Sequence, residues 1–173
     1  MKKLIIYGSH YGTTKRYAEK LSELTKIPVM NYEDMKDLSE YDEVIHFGAL
    51  YAGGVKGLKN TIKALPKNAS LIIVTVGLAD VTKKENTEHI KKTIGQQVPQ
   101  PILNHAKILH LRGGIDYSRL NFMHKTLMSL LYKKAKNTPE EEKTEEVKDM
   151  IETYNQKVDF VDFHSLQQVI DAI

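Results

Sequence analysis

The 173-residue sequence contains neither cysteine nor tryptophan. Without cysteine there can be no disulfide, no thiolate metal site and no iron–sulfur cluster, and a reducing compartment fits. No apolar run approaches the roughly 18 residues needed to cross a bilayer. The opening Met1-Lys2-Lys3 leads only into Leu4-Ile5-Ile6-Tyr7, too short for a signal peptide, so a cytoplasmic location is expected. The seven histidines lack the close paired spacing of a metal site, and none is expected. A large surplus of one charge is missing too. With 25 basic and 22 acidic residues the net charge is +3, and the pI is near 8.8. That falls short of a nucleic-acid binder's composition, and no nucleic-acid partner is expected.

What is present suffices for one domain over residues 1–173, with a hydrophobic content of 41%. The chain is organised around residues 4–15. Leu4-Ile5-Ile6-Tyr7 suits a strand buried on both faces, as in a parallel sheet. Gly8-Ser9-His10-Tyr11-Gly12-Thr13-Thr14-Lys15 follows and opens a helical pattern. A helix opening leaves N–H groups without intrahelical partners and carries partial positive charge. Ser9, Thr13 and Thr14 add hydroxyls, and the glycines let backbone wrap a ligand, which makes a seat for a phosphate. Ordinary N-capping by Thr13 or Thr14 explains the same residues equally well. The turn matches neither the triphosphate loop nor the dinucleotide fingerprint.

Further strands are expected at 27–30, with Pro28 favouring an edge, and at 43–48, 70–76 and 107–112. Helices are expected over 13–26, 58–65 and 85–97, and the stretch between the second and third strands is polar apart from Met35 and Leu38. A glycine-rich loop covers 49–57, and another loop covers 78–84. The alternation predicts an α/β fold, a three-layer, doubly wound, five-stranded parallel sheet. Ligands bind such sheets beyond the carboxyl ends of the strands. Past the fifth strand, residues 120–136 read as a helix with Leu120, Met123, Leu127, Leu130 and Leu131 on one stripe. A further helical start is expected near Asn137-Thr138-Pro139-Glu140, an extended piece over 158–163 and a last helix over 165–173.

The opening strand with its Ser/Thr-Gly-Thr turn, the five-strand alternation and the loops after strands three and four resemble flavodoxin, the FMN-binding fold. Gly48-Ala49-Leu50-Tyr51, the stretch 109–117 and the helix through Met123, Lys125, Leu127 and Met128 look like one branch, the bacterial flavodoxin-type (menaquinone-dependent) protoporphyrinogen oxidases. The resemblance covers nearly the whole chain and implies strand order 2-1-3-4-5 with an added helix after strand five. It implies FMN as cofactor, with Ser9, His10, Tyr11, Gly12, Thr13 and Thr14 around the phosphate. Ala49, Leu50, Tyr51, Ala52 and Gly53 would form the first flavin-flanking loop, with Tyr51 against the ring. Gly77, Leu78, Ala79 and Asp80 would form the second. Tyr11 departs from the threonine usual in electron-carrying flavodoxins, and the second loop lacks an aromatic residue. Response regulators share this plan but carry an acidic cluster after the first strand, where this chain has Tyr7-Gly8-Ser9.

The implied activity is an FMN-dependent oxidoreductase oxidising protoporphyrinogen IX with a quinone acceptor. The alternatives are a flavodoxin shuttling electrons between redox protein partners, and a non-catalytic FMN scaffold. Shuttles of this kind tend to be acidic, unlike this chain. No catalytic side chain stands out. His46 and His110 fall inside strands and read as structural, whereas His10 lies in the phosphate turn, where a dianion would raise its pKa. Gly53 or Gly54 offers a peptide able to flip beside the flavin. The stripe at 120–136 has three readings: packing on the sheet or on a second copy in a homo-oligomer, bordering a site for an apolar substrate such as a porphyrin or quinone, or peripheral contact with an anionic membrane.

Overall fold

In the computed structural model, residues 1–51 and 53–173 are described. Five parallel strands make the sheet, in the order β2 (Val29–Asn31), β1 (Lys3–Gly8), β3 (Glu43–Tyr51), β5 (Ser70–Gly77) and β6 (Lys107–Arg112). A short β4 (Gly54–Val55) turns back antiparallel on the end of β3. The five parallel strands thus follow the expected order. β2 is an edge strand that begins just after Pro28, whose carbonyl accepts from the Ile5 N–H. A proline at that position gives up no ladder bond.

Side chains of the central strands alternate between two apolar layers. Ile5, Ile45, Phe47, Ile72 and Val74 pack with Tyr17, Ala18 and Leu21 of α1 (Thr13–Thr25) and with Leu166 and Val169. Leu4, Ile6, Val44, Leu71 and Ile73 pack on the other side with Leu58 of α2 (Leu58–Ala64) and with Ile90 and Ile94 of α3 (Lys84–Gly95). Each fully buried side chain of this size stabilises the fold by about 1.5–3 kcal/mol relative to exposure. This double burial explains why these strands read as continuous apolar runs.

The periphery departs from the expectations. Between β2 and β3 there is no α-helix, only a 3-10 turn at Tyr32–Asp34 capped by Asn31. Leu38 alone in that connection reaches full burial, at 1% exposure. Residues 49–51 belong to β3 and not to a loop, because Leu50 and Tyr51 pair with Val55 and Gly54. A short α4 (Gln100–Leu103) follows α3, with Pro99 at its N-cap and Pro101 in its first turn. After β6, the strand β7 (Gly114–Asp116) pairs antiparallel with β8 (Lys157–Asp159).

The added helix is α5 (Phe122–Asn137), capped by the Asn121 side chain. Its inward positions are His124 and Ala135, whereas Phe122, Met123, Leu130 and Leu131 are exposed. Met123, Leu130 and Leu131 of the stripe therefore face outward and do not pack on the sheet, while Leu120, just before the helix, is buried. The next helix, α6 (Glu145–Thr153), starts later than expected, because Thr144 and not the Asn137–Glu140 stretch caps it and Glu140–Glu142 is only a 3-10 turn. The chain ends in a 3-10 turn at Phe163–Leu166 and a short α7 (Gln167–Ile170), shorter than the helix expected over 165–173.

Candidate functional site

Strand order reverses between β1 and β3, and the segments that leave these strands meet there. The turn after β1 closes on itself: the Gly12 N–H donates to Ser9 Oγ at 3.0 Å. Gly12 then caps α1 with φ +95°, a left-handed conformation that glycine adopts without steric cost. No side-chain cap bond closes α1. The capping reading therefore does not hold for this turn, and no side-chain cap takes the first-turn N–H groups. Neither Thr13 nor Thr14 is the cap. Thr14 is buried and Thr13 half-buried, its methyl close to Gly113 at the end of β6.

The β3–β4 hairpin brings a cation to the same place. Lys56 Nζ donates to Ser9 O at 3.1 Å and lies 3.2 Å from His10 Nδ1. Sequence reasoning passed over Lys56. A lone lysine closing a glycine-rich loop was the only signal, and 47 residues separate it from Ser9. Gln97 holds the hairpin, accepting from the Val55 N–H and donating to Gly53 O. A peptide flip at Gly53 would have to break that second bond. Ala52 lies outside the described residues.

Four rings gather above the turn. Tyr51 lies 5.0 Å from His10 and 4.5 Å from His124, centroid to centroid, and His10 and His124 are 5.1 Å apart. Tyr11 OH bonds His124 Nδ1 and accepts from the Asn121 N–H at 3.4 Å, tying the start of α5 to the turn. His124 had no local signature, since 113 residues separate it from Tyr11. Burial raises the Tyr51 pKa, with a further contribution from Tyr11. The protein's own groups lower that of His10, burial first, then Lys56 and His124, with Glu33 opposing. A bound dianion would have to outweigh them before the expected rise appeared.

The expected second loop is held by its own set of bonds. Gly77 O accepts from the Gly113 N–H at 2.6 Å and Leu78 O from Arg112 Nε at 3.0 Å. Ala79 is buried. The Asp80 N–H donates to Asp149 Oδ2 of α6, and its carboxylate accepts from Thr82, which lowers its pKa. The Asp80 carboxylate is thus occupied within its own loop. Leu50 packs at Gly77, joining the two loops.

A larger groove of about 840 Å³ opens along α5. Phe122, Leu130, Tyr117 and Tyr154 give it apolar walls; Lys125, Lys133 and Lys157 line it too, together with Asp116, whose carboxylate lies 3.7 Å from Lys157 Nζ. Tyr154 stacks on Tyr132 at 3.9 Å, fixing one wall. No helix among the described residues is long and apolar enough to cross a membrane.

Comparison with known proteins agrees with this architecture. A candidate flavoprotein from Bacteroides uniformis is 16% identical, covers 65% of this chain and 90% of its own, and superposes with a TM-score of 0.50, a likeness of fold alone. A Lactobacillus acidophilus flavoprotein solved in complex with FMN is 13% identical over 64% of this chain and 91% of its own, with a TM-score of 0.46. No curated protein matches the sequence. Residues 4–142, from the first strand through α5, match the flavodoxin domain, and the chain belongs to that family.

Proposed function

We propose that this protein holds FMN at the β1–α1 turn and oxidises an apolar, anionic organic substrate, protoporphyrinogen IX being the case tested first, with a quinone as acceptor. The uncapped opening of α1 beside Lys56 carries the cofactor assignment. The residues fit the group: a helix opening that no side chain caps, a cation, and a tyrosine ring at the mouth suit an anionic phosphate and an aromatic ring system together. FMN supplies the electron chemistry when bound. The chain's part is to bind and orient it: Tyr51 offers the stacking ring, Lys56 and the turn the anion site, and Gln97 steadies the hairpin between them.

Support for an organic substrate comes from the groove on α5, whose aromatic walls and Lys125 and Lys133, beside the Asp116–Lys157 ion pair, suit an apolar ring bearing carboxylates. The same helix supplies His124 to the rings above the turn. An electron shuttle between protein partners has less support, because the chain is mildly basic and the groove would have no use in it. The FMN-loaded protein, given protoporphyrinogen and a quinone, is expected to produce porphyrin fluorescence that depends on both. Flavin reduction by redox partners with no porphyrin formed would favour the shuttle.

A further inference from the structure

Lys56 is placed with more care than a surface lysine needs. Its N–H donates to Ala49 O at 3.0 Å across the hairpin. Its carbonyl meets His46 Nε2 at 3.0 Å, and Thr61 Oγ1 meets His46 Nδ1 at 2.9 Å. A carbonyl only accepts, so Nε2 carries the proton and Nδ1 accepts from the threonine hydroxyl. His46 and Thr61 both have 0% exposure. Burial holds the His46 pKa down to about 4, which keeps the ring neutral in this arrangement. Gly8 closes the other side: a Cβ there would stand 2.3 Å from Lys56 O. Glycine at position 8 is therefore required for the hairpin to lie this close to β1.

An ammonium carries three N–H donors, and Lys56 turns two toward Ser9 O and His10 Nδ1. Both acceptors belong to the turn that opens α1. Nζ also lies 5.9 Å from the centroid of the Tyr32 ring. The neighbouring recess of about 260 Å³ adds Lys59 and Asn60 to His10, Tyr51 and Lys56. Glu33 is the acid that acts on His10, and it does so less than burial, Lys56 and His124.

We infer that Lys56, positioned by the buried His46–Thr61 pair, is the charge that makes this site select a phosphorylated flavin over an unphosphorylated one. The inference rests on the FMN reading above and deepens it, assigning specificity to a residue outside the β1–α1 turn. Backbone donors alone bind a dianion through partial charges. A full charge within hydrogen-bonding reach adds a direct, salt-sensitive attraction, while a flavin without its phosphate gains nothing from it.

The test titrates FMN and riboflavin separately into wild-type protein and into Lys56→Met, Lys56→Gln and Lys56→Arg variants. Flavin fluorescence is followed at two salt concentrations, and circular dichroism checks folding. Lys56→Met is expected to weaken FMN roughly tenfold to a hundredfold while riboflavin changes less than about threefold. The salt dependence of FMN binding should become shallower, and Lys56→Arg should keep most of the preference. Gln retains a donor for Ser9 O without the charge. If Lys56→Gln binds FMN like the wild type, the role is support of the turn and the inference fails. It also fails if FMN and riboflavin weaken equally, or if neither weakens. If the wild type itself binds no FMN, the cofactor reading falls first and takes this inference with it.

Discussion

Two buried side chains carry consequences that can be measured one residue at a time. Tyr17 has no exposure, and its hydroxyl donates to Arg112 O at 2.8 Å while accepting from the Asp162 N–H at 2.9 Å. It therefore joins α1, the end of β6 and the C-terminal segment at one atom. Tyr17→Phe should cost about 1–3 kcal/mol in urea unfolding, because both partners lose their bond at once. His46 gives a pH signature. Its native pKa of about 4 lies below the unfolded value of roughly 6.5. Between those values the unfolded chain binds a proton that the native protein refuses. Stability should therefore be level above about pH 6.5 and fall as the pH drops toward 4, by up to about 1.4 kcal/mol per pH unit from this residue. His110, also held to about 4 chiefly by burial, acts in the same direction. In His46→Gln the difference in unfolding free energy between pH 5 and pH 7 should shrink. An unchanged difference would mean that the ring is not held neutral.

At the scale of elements, the helices after β6 divide the labour. α5 turns its most apolar stripe outward, with Phe122 at 86% and Leu130 at 60% exposure. Phe122→Ser and Leu130→Ser should each change stability by less than about 0.5 kcal/mol, whereas Leu21→Ala in the core should cost about 2–5 kcal/mol. A loss near the core value at either α5 position would mean that the stripe packs within the chain. α6 serves the loop after β5: Asp149, itself buried, takes the Asp80 N–H at 3.1 Å and lies 3.6 Å from Lys83 Nζ. Asp149→Ala should speed hydrogen exchange at the Asp80 amide while leaving the β1 and β3 amides protected. The apolar period of residues 120–136 showed α5 in the sequence, but period cannot say which way a stripe faces. Its orientation depends on His124 reaching Tyr11 and on Ala135 packing inward, contacts with no local trace. The start of α6 was misplaced for a similar reason. Asn137, Pro139 and Thr144 all sit near a plausible opening, and only the Thr144 side chain takes a helical N–H, that of Val147.

For the molecule as a whole, the parallel sheet was legible because β1, β3 and β5 are buried on both faces and announce it as apolar runs. The site was legible only where it is local. The turn through Gly12 could be read from its own residues, whereas Lys56 and His124 arrive from distant elements and become visible only once the sheet is assembled. Residues 4–142 carry both the family match and the turn, so FMN binding at that turn is what everything else depends on. Equilibrium dialysis of FMN against the purified chain, read by visible absorption, tests it most directly. Saturation at one flavin per chain is expected, with a shifted yellow band on the protein side of the membrane. Equal flavin on both sides at every concentration would contradict it.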